Sequence, residues 1–127
     1  MRKIILASAS PRRKEILEKT GLRFIIDETK YEENNHARLA PAALAISHSR
    51  GKALDIMPRY KNAIVISADT IVVSGKKIFG KPSDRVDAAA MLRALSGKAH
   101  SVITGFTILD TASKKNLFKS RRVQSFF

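Results

Sequence analysis

The sequence has no cysteine, which excludes disulfides, thiol catalysis and thiolate metal sites together. It also lacks any apolar run long enough to cross a bilayer. Aliphatic stretches such as Ile4-Ile5-Leu6-Ala7, Ala63-Ile64-Val65-Ile66 and Ile71-Val72-Val73 stop after a few residues. The first of these follows the basic Met1-Arg2-Lys3 and runs at once into Ser8-Ala9-Ser10-Pro11. That is too short for the core of a secretory signal, so the expected location is cytoplasmic. Acidic residues are scarce, 11 against 24 lysines and arginines, and the formal net charge is +13. Such an excess favours polyanions: nucleic acid, nucleotides or acidic membrane surfaces. Aromatic residues make up only 6% of the chain and no known recognition motif is present, which counts against a nucleic-acid partner, since bases stack on aromatic rings.

What is present fits one small α/β domain. The chain has 127 residues, and its 44% hydrophobic and 28% charged content is globular rather than disordered. Residues 3–7 read as a buried strand. A helix follows, capped by Ser10, opened by Pro11 and ended by Gly21. Residues 22–26 read as a second strand, closed by a polar loop at 27–35. A helix is expected over 41–57, its apolar stripe formed by Ala42, Ala45, Ile46, Ala53, Ile56 and Met57. Residues 63–67 give the clearest strand and 71–73 continue it, with Ser74-Gly75 turning into a short strand at 77–79. Ala88, Met91, Leu92 and Leu95 mark a helix over 84–96, stopped by Gly97. Two strands, 100–109 and 117–126, complete the chain around a polar turn.

Three places can carry chemistry. At Ser8-Ala9-Ser10-Pro11-Arg12-Arg13 a strand delivers the chain to a helix N-terminus, where unpaired amides and the helix dipole favour an anion. Two hydroxyls and two guanidinium forks, which match phosphate oxygens bidentately, stand at the same point. A capped surface helix with solvated arginines is the competing reading. Asp69, in Ser67-Ala68-Asp69-Thr70, follows the most apolar strand and is expected at its end, where open α/β sheets gather ligand groups. It can bind a hard cation such as Mg²⁺ or activate a water, or simply form a turn. Gly75 to Lys81 nearly spells a phosphate-binding P-loop, but Pro82 replaces the hydroxyl residue that would hold Mg²⁺, so the motif is rejected. Lys81 remains a candidate phosphate contact on a rigid Gly-Lys-Pro corner. His36, His48 and His100 lack metal-ligand spacing.

Taken in order, Ser8-Ala9-Ser10-Pro11-Arg12-Arg13, Glu33, Gly51-Lys52-Ala53, Ala68-Asp69-Thr70, Gly80-Lys81-Pro82 and the segment from Met91 to Val102 resemble the signature of the Maf family of nucleoside triphosphate pyrophosphatases. The resemblance covers essentially the whole chain, as a single Maf-like domain over residues 1–127. It implies an α/β fold related to the inosine triphosphate pyrophosphatases, with a curved mixed sheet flanked by helices. The implied reaction is hydrolysis of a triphosphate to the monophosphate and pyrophosphate with Mg²⁺ or Mn²⁺. By matching position, Asp69 is implied as the catalytic base or metal-linked carboxylate and Glu33 as a metal ligand. Ser8, Arg12, Arg13, Lys52, Thr70 and Lys81 are implied as phosphate or substrate contacts. Arg12 and Thr70 resemble the branch acting on dTTP and UTP. A homodimer and an association with septum formation are implied as well. Ser67 departs from the family's usual glycine and is expected to tighten its loop. Members also continue past this terminus, with a Gly-Ala-Tyr-Gly-Ile-Gln-Gly-like stretch unmatched here, so the domain is expected to be incomplete at the C-terminus, with weak or absent activity and poor solubility from an exposed sheet edge. Two other classes compete: a basic nucleic-acid-binding module, which salt dependence would reveal, and an inactive phosphate-binding fragment.

Overall fold

A long central strand organises the molecule. Residues 63–74 are mostly small or branched, and over most of their length buried positions alternate with less buried ones, the period of two of an extended strand. In the computed structural model, which describes residues 2–31, 39–75, 77–79, 85–95, 97 and 99–126, this segment is β3 (Ala63–Ser74). Around it lie β1 (Lys3–Leu6), α1 (Pro11–Glu18), β2 (Ile25–Ile26), α2 (Pro41–Ile56), β4 (Lys77–Phe79), α3 (Arg85–Leu95), β5 (Ala99–Asp110) and β6 (Asn116–Phe126). The six strands form one mixed sheet in the order β2-β1-β3-β5-β6, with β4 on β3. β1 is parallel to β2 and β3, whereas β3, β5 and β6 are antiparallel neighbours.

Helix α2 covers one face. Ile5, Leu44, Ile56, Ile71, Ile103 and Leu109 are almost fully buried there or within the sheet, each contributing roughly 1.5–3 kcal/mol of transfer free energy. The expected stripe of α2 is partly right: Ala45, Ala53 and Ile56 are buried, but Leu44, His48 and Ser49 share that face. The polar residues fit because they are paired. Ser49 Oγ lies 2.6 Å from Thr107 Oγ1 and donates to the Ile46 carbonyl at 2.8 Å. α1 flanks the opposite face, where Ile16 and Leu17 share a cavity with Leu6, Ile66, Val102 and Phe106. On α3 only Leu95 is buried, and Leu92 is exposed rather than part of a packed stripe.

Three expectations are corrected. The strand expected at 22–26 is reduced to Ile25–Ile26, because only these residues find partners on β1, at Ile5 and Leu6. Asp69 does not end a strand. β3 runs through it, held extended by an unbroken register against β5 from Ile64↔Asp110 to Val73↔Ser101. Ser67 is accordingly not a loop residue: it is fully buried, and its Oγ donates to the Ser49 carbonyl at 2.5 Å, tying β3 to α2.

Asp110 closes the β5–β6 turn. Its carboxylate accepts the amides of Ala112 and Ser113 and pairs with Arg2 at the start of the chain. The Arg2 hydrogen bonds hold the carboxyl well below the usual carboxylate range, the turn amides acting in the same direction and desolvation opposing. A group lowered in the folded state stabilises fully above its unfolded pKa, about 3.9 for Asp, and that contribution is lost as pH falls through the folded value. Thermal unfolding of Asp110→Asn should therefore lie below wild type at neutral pH, with a gap that closes below about pH 4. A gap unchanged down to pH 2 would refute this assignment.

Candidate functional site

β3 changes partners on one edge. Ala63 to Ile66 pair with β1, Val72 to Ser74 pair with β4, and among the described residues no strand covers 67–71 on that side. β1 leaves the sheet after Leu6, its last ladder contact being the Ala7 amide on the Ile66 carbonyl at 2.9 Å. The departing chain becomes the Ser8-Ala9-Ser10 corner and then α1. The notch so formed opens a cleft of about 480 Å³ lined by Ser8, Ser10, Arg13, Lys52, Asp69 and Thr70, with Glu28, Thr29, Tyr31, Phe79 and Met91 among its walls. Asp69 thus reaches ligand-accessible space sideways, through a gap in the sheet.

The corner is preorganised. Ser10 caps α1 by accepting the Arg13 amide at 3.4 Å, and its own amide donates to Ser8 Oγ at 3.1 Å. Pro11 occupies the first turn, where its missing N–H costs nothing. Arg13 reaches back, donating to Thr70 Oγ1 at 3.1 Å and to Ser8 Oγ at 3.5 Å. Thr70 in turn lies 3.1 Å from Thr104 Oγ1, its register partner on β5. Guanidinium, two serines and a helix N-terminus therefore converge on one wall, a constellation suited to phosphate oxygens.

Facing them is an ion pair. Lys52, on α2, donates to Asp69 Oδ1 at 3.1 Å and to the Ala68 carbonyl at 3.4 Å, and both side chains are largely buried. The ammonium offsets the cost of keeping a carboxylate out of water. Asp69 and Glu28 both line the cleft, and carboxylate oxygens are the hard donors that Mg²⁺ takes when substrate phosphates complete its shell. Among the described residues no group of three His, Asp or Glu side chains could hold a metal alone. The two carboxylates bordering the cleft are donors of the kind a cation shared with a phosphate ligand would use.

Of the residues singled out by sequence, Ser8, Arg13, Lys52, Asp69 and Thr70 meet in this cleft. Arg12 does not line it. It stands on the exposed side of α1, beside the adjacent cavity that also contains Arg13 and Thr70. Glu33 and Lys81 lie outside the described residues. Sequence reasoning passed over Glu28, Thr29 and Thr104. The first two sit in a polar loop with no periodicity to mark them, and Thr104 is visible only once the β3–β5 register is known. A second basic cavity, at the far end of β1, includes Arg2, Arg59 and Lys61, but Arg2 pairs with Asp110 and Arg59 with Asp27.

Solved structures with the same fold include the Ham1 protein of Staphylococcus aureus, with a TM-score of 0.66 and 10% identity, covering 97% of this chain and 70% of that one. A HAM1 protein of Coxiella burnetii gives 0.61 and 15%, covering 98% and 72%. At these identities the likeness concerns fold alone. Sequence similarity is much closer to proteins named dTTP/UTP pyrophosphatase. That of Methanosarcina mazei is 45% identical over 121 residues, 94% of this chain and 61% of the relative. That of Pelotomaculum thermopropionicum is 40% identical over 127 residues, 100% and 66% respectively. The chain thus spans about three-fifths of the length of these relatives. Residues 3–126 match the family described as Maf-like protein. With that match running from the first strand to the last, this chain belongs to the Maf family.

Proposed function

We propose that this chain acts as a nucleoside triphosphate pyrophosphatase on dTTP and UTP, releasing the monophosphate and pyrophosphate. The observation that carries the reading is the cleft itself, which sets Ser8, Ser10 and Arg13 across from the Lys52–Asp69 pair. The names of the relatives point to the same substrates.

In this reading the α1 N-terminus and Arg13 hold the phosphate chain, and Lys52 balances charge between it and Asp69. A water attacks the α-phosphorus and forms the new P–O bond. The bond from that phosphorus to the α–β bridging oxygen breaks, and pyrophosphate leaves with the electron pair. Asp69 takes the proton of the attacking water, acting as general base. Asp69 is also proposed to hold Mg²⁺ or Mn²⁺, with Glu28 close by and Glu33 assigned by sequence position alone. When bound, the metal would neutralise phosphate charge and lower the barrier to attack. Arg12 and Lys81 are kept as proposed phosphate contacts from the family pattern. A homodimer, a cytoplasmic setting and a link to septum formation rest on the family resemblance. No helix among the described residues is long and apolar enough to cross a membrane.

The test is product analysis with dTTP and UTP, beside dATP and GTP, with Mg²⁺ or Mn²⁺. The expected result is monophosphate and pyrophosphate in equal amounts, fastest from the two pyrimidine nucleotides. Diphosphate and inorganic phosphate as products would place attack at the γ-phosphorus and overturn the proposal.

A further inference from the structure

One wall of the cleft is a strap, residues 27–31, laid along α2 and the turn that follows it. Three anchors hold it. Asp27 accepts hydrogen bonds from Arg59 at 2.6 Å and from the Tyr60 hydroxyl at 2.8 Å. Asp55 accepts from the Thr29 hydroxyl at 2.8 Å and the Lys30 amide at 3.0 Å. The third anchor joins the strap to the middle of α2. The Tyr31 hydroxyl lies 3.2 Å from Nδ1 of the buried His48. The tyrosine ring is seated directly on Gly51, where a Cβ would come within 2.3–2.8 Å of three ring carbons. The next residue along the helix is Lys52, the partner of Asp69.

We infer that Tyr31 is a positioning residue: its fit on Gly51 and its bond to His48 lock the strap to the turn of α2 that presents Lys52, so that cleft wall and cation are held in one register. The reading of the cleft as a triphosphate site is assumed here, but the lock itself is a geometric statement. An alanine at 51 would put a methyl group inside the ring's position, so the ring must shift off its seat, which strains its bond to His48. The glycine is therefore needed for close approach of a neighbouring side chain.

The experiment is a double-mutant cycle on the whole chain with Gly51→Ala, Tyr31→Ala and the pair together. It reads amide exchange over residues 27–31 and the Kd for inorganic triphosphate with Mg²⁺, with the melting temperature as control. Each single variant is expected to speed exchange at Lys30 and Tyr31 and to weaken triphosphate about tenfold. The double variant should resemble Tyr31→Ala alone, because the methyl no longer meets the ring. Tyr31→Phe should show part of the loss, keeping the seat and losing the bond to His48. Additive losses in the double variant would overturn the inference, as would Gly51→Ala lowering the melting temperature while leaving exchange and affinity unchanged. Should the wild type fail to bind triphosphate or to hydrolyse nucleotides, the proposed function falls. Exchange alone then decides the lock.

Discussion

Asp69→Asn is expected to reduce pyrophosphate release from dTTP by about a thousandfold, within the range set by loss of a positioned base, while leaving the protein folded. The substitution keeps shape and removes charge. Asp69 is 3% exposed and lies at the centre of β3, with Gly105 as its register partner on β5. Its backbone pairing does not depend on the side chain, so the ladder survives. What changes is the acceptor that the proposed mechanism assigns to the water's proton, and with it the partner of Lys52 at 3.1 Å. Loss of that partner leaves a largely buried ammonium facing an amide, a cost that a bound triphosphate would partly cancel. Substrate should therefore still bind, and the effect should fall on kcat more than on KM. Wild-type turnover in Asp69→Asn would remove the residue from the mechanism, and a variant that fails to fold would show the ion pair to be structural.

The second large effect concerns stability. Gly→Ala in a strand of ordinary conformation usually helps, by restricting the unfolded chain. Gly105→Ala should do the opposite. A Cβ at Gly105 would meet the backbone of α2 at 2.4 Å from the Ala45 carbonyl carbon and 2.5 Å from both the Ala45 oxygen and the Ile46 nitrogen. No rotamer change relieves a clash with main chain, so the helix must move off the sheet. Overpacking of this kind costs about 3 kcal/mol, which for a domain of this size lowers the melting temperature on the order of 10 °C. Because α2 also carries Lys52, its shift should weaken triphosphate binding too. A variant melting at or above wild type would mean that α2 is not seated where the sheet places it.

The sequence made some of this legible and hid the rest for identifiable reasons. Helix signals at Ser10-Pro11 and Pro41, and the β-branched run from Ala63, are local, and the elements they announce are present. Ser8, Arg13, Lys52, Asp69 and Thr70 carried enough of a pattern to be picked out individually, and they meet in one cleft. The setting of Asp69 is not local: the apolar run before Ser67-Ala68-Asp69-Thr70 suggests a strand that ends there. Only long-range pairing with β5, some thirty-five residues away, keeps them extended. Nothing local distinguishes Arg12 from Arg13, yet successive helical residues point about 100° apart, and only Arg13 turns toward the cleft. Glu28, Thr29 and Tyr31 were equally obscure, because a strap is defined by what it lies on. The fit of Tyr31 on Gly51 joins residues on separate elements and leaves no trace in spacing.

The switch of partners along β3 has a consequence for how such a protein can diversify. The carboxylate of Asp69 is built into a continuously paired strand, while the surfaces that frame it come from a strap, a corner and the short β4. Substitutions in those borders can reshape what is admitted without displacing Asp69. Lengthening the first strand by a few paired residues, by contrast, would seal the opening and leave the carboxylate intact but out of reach.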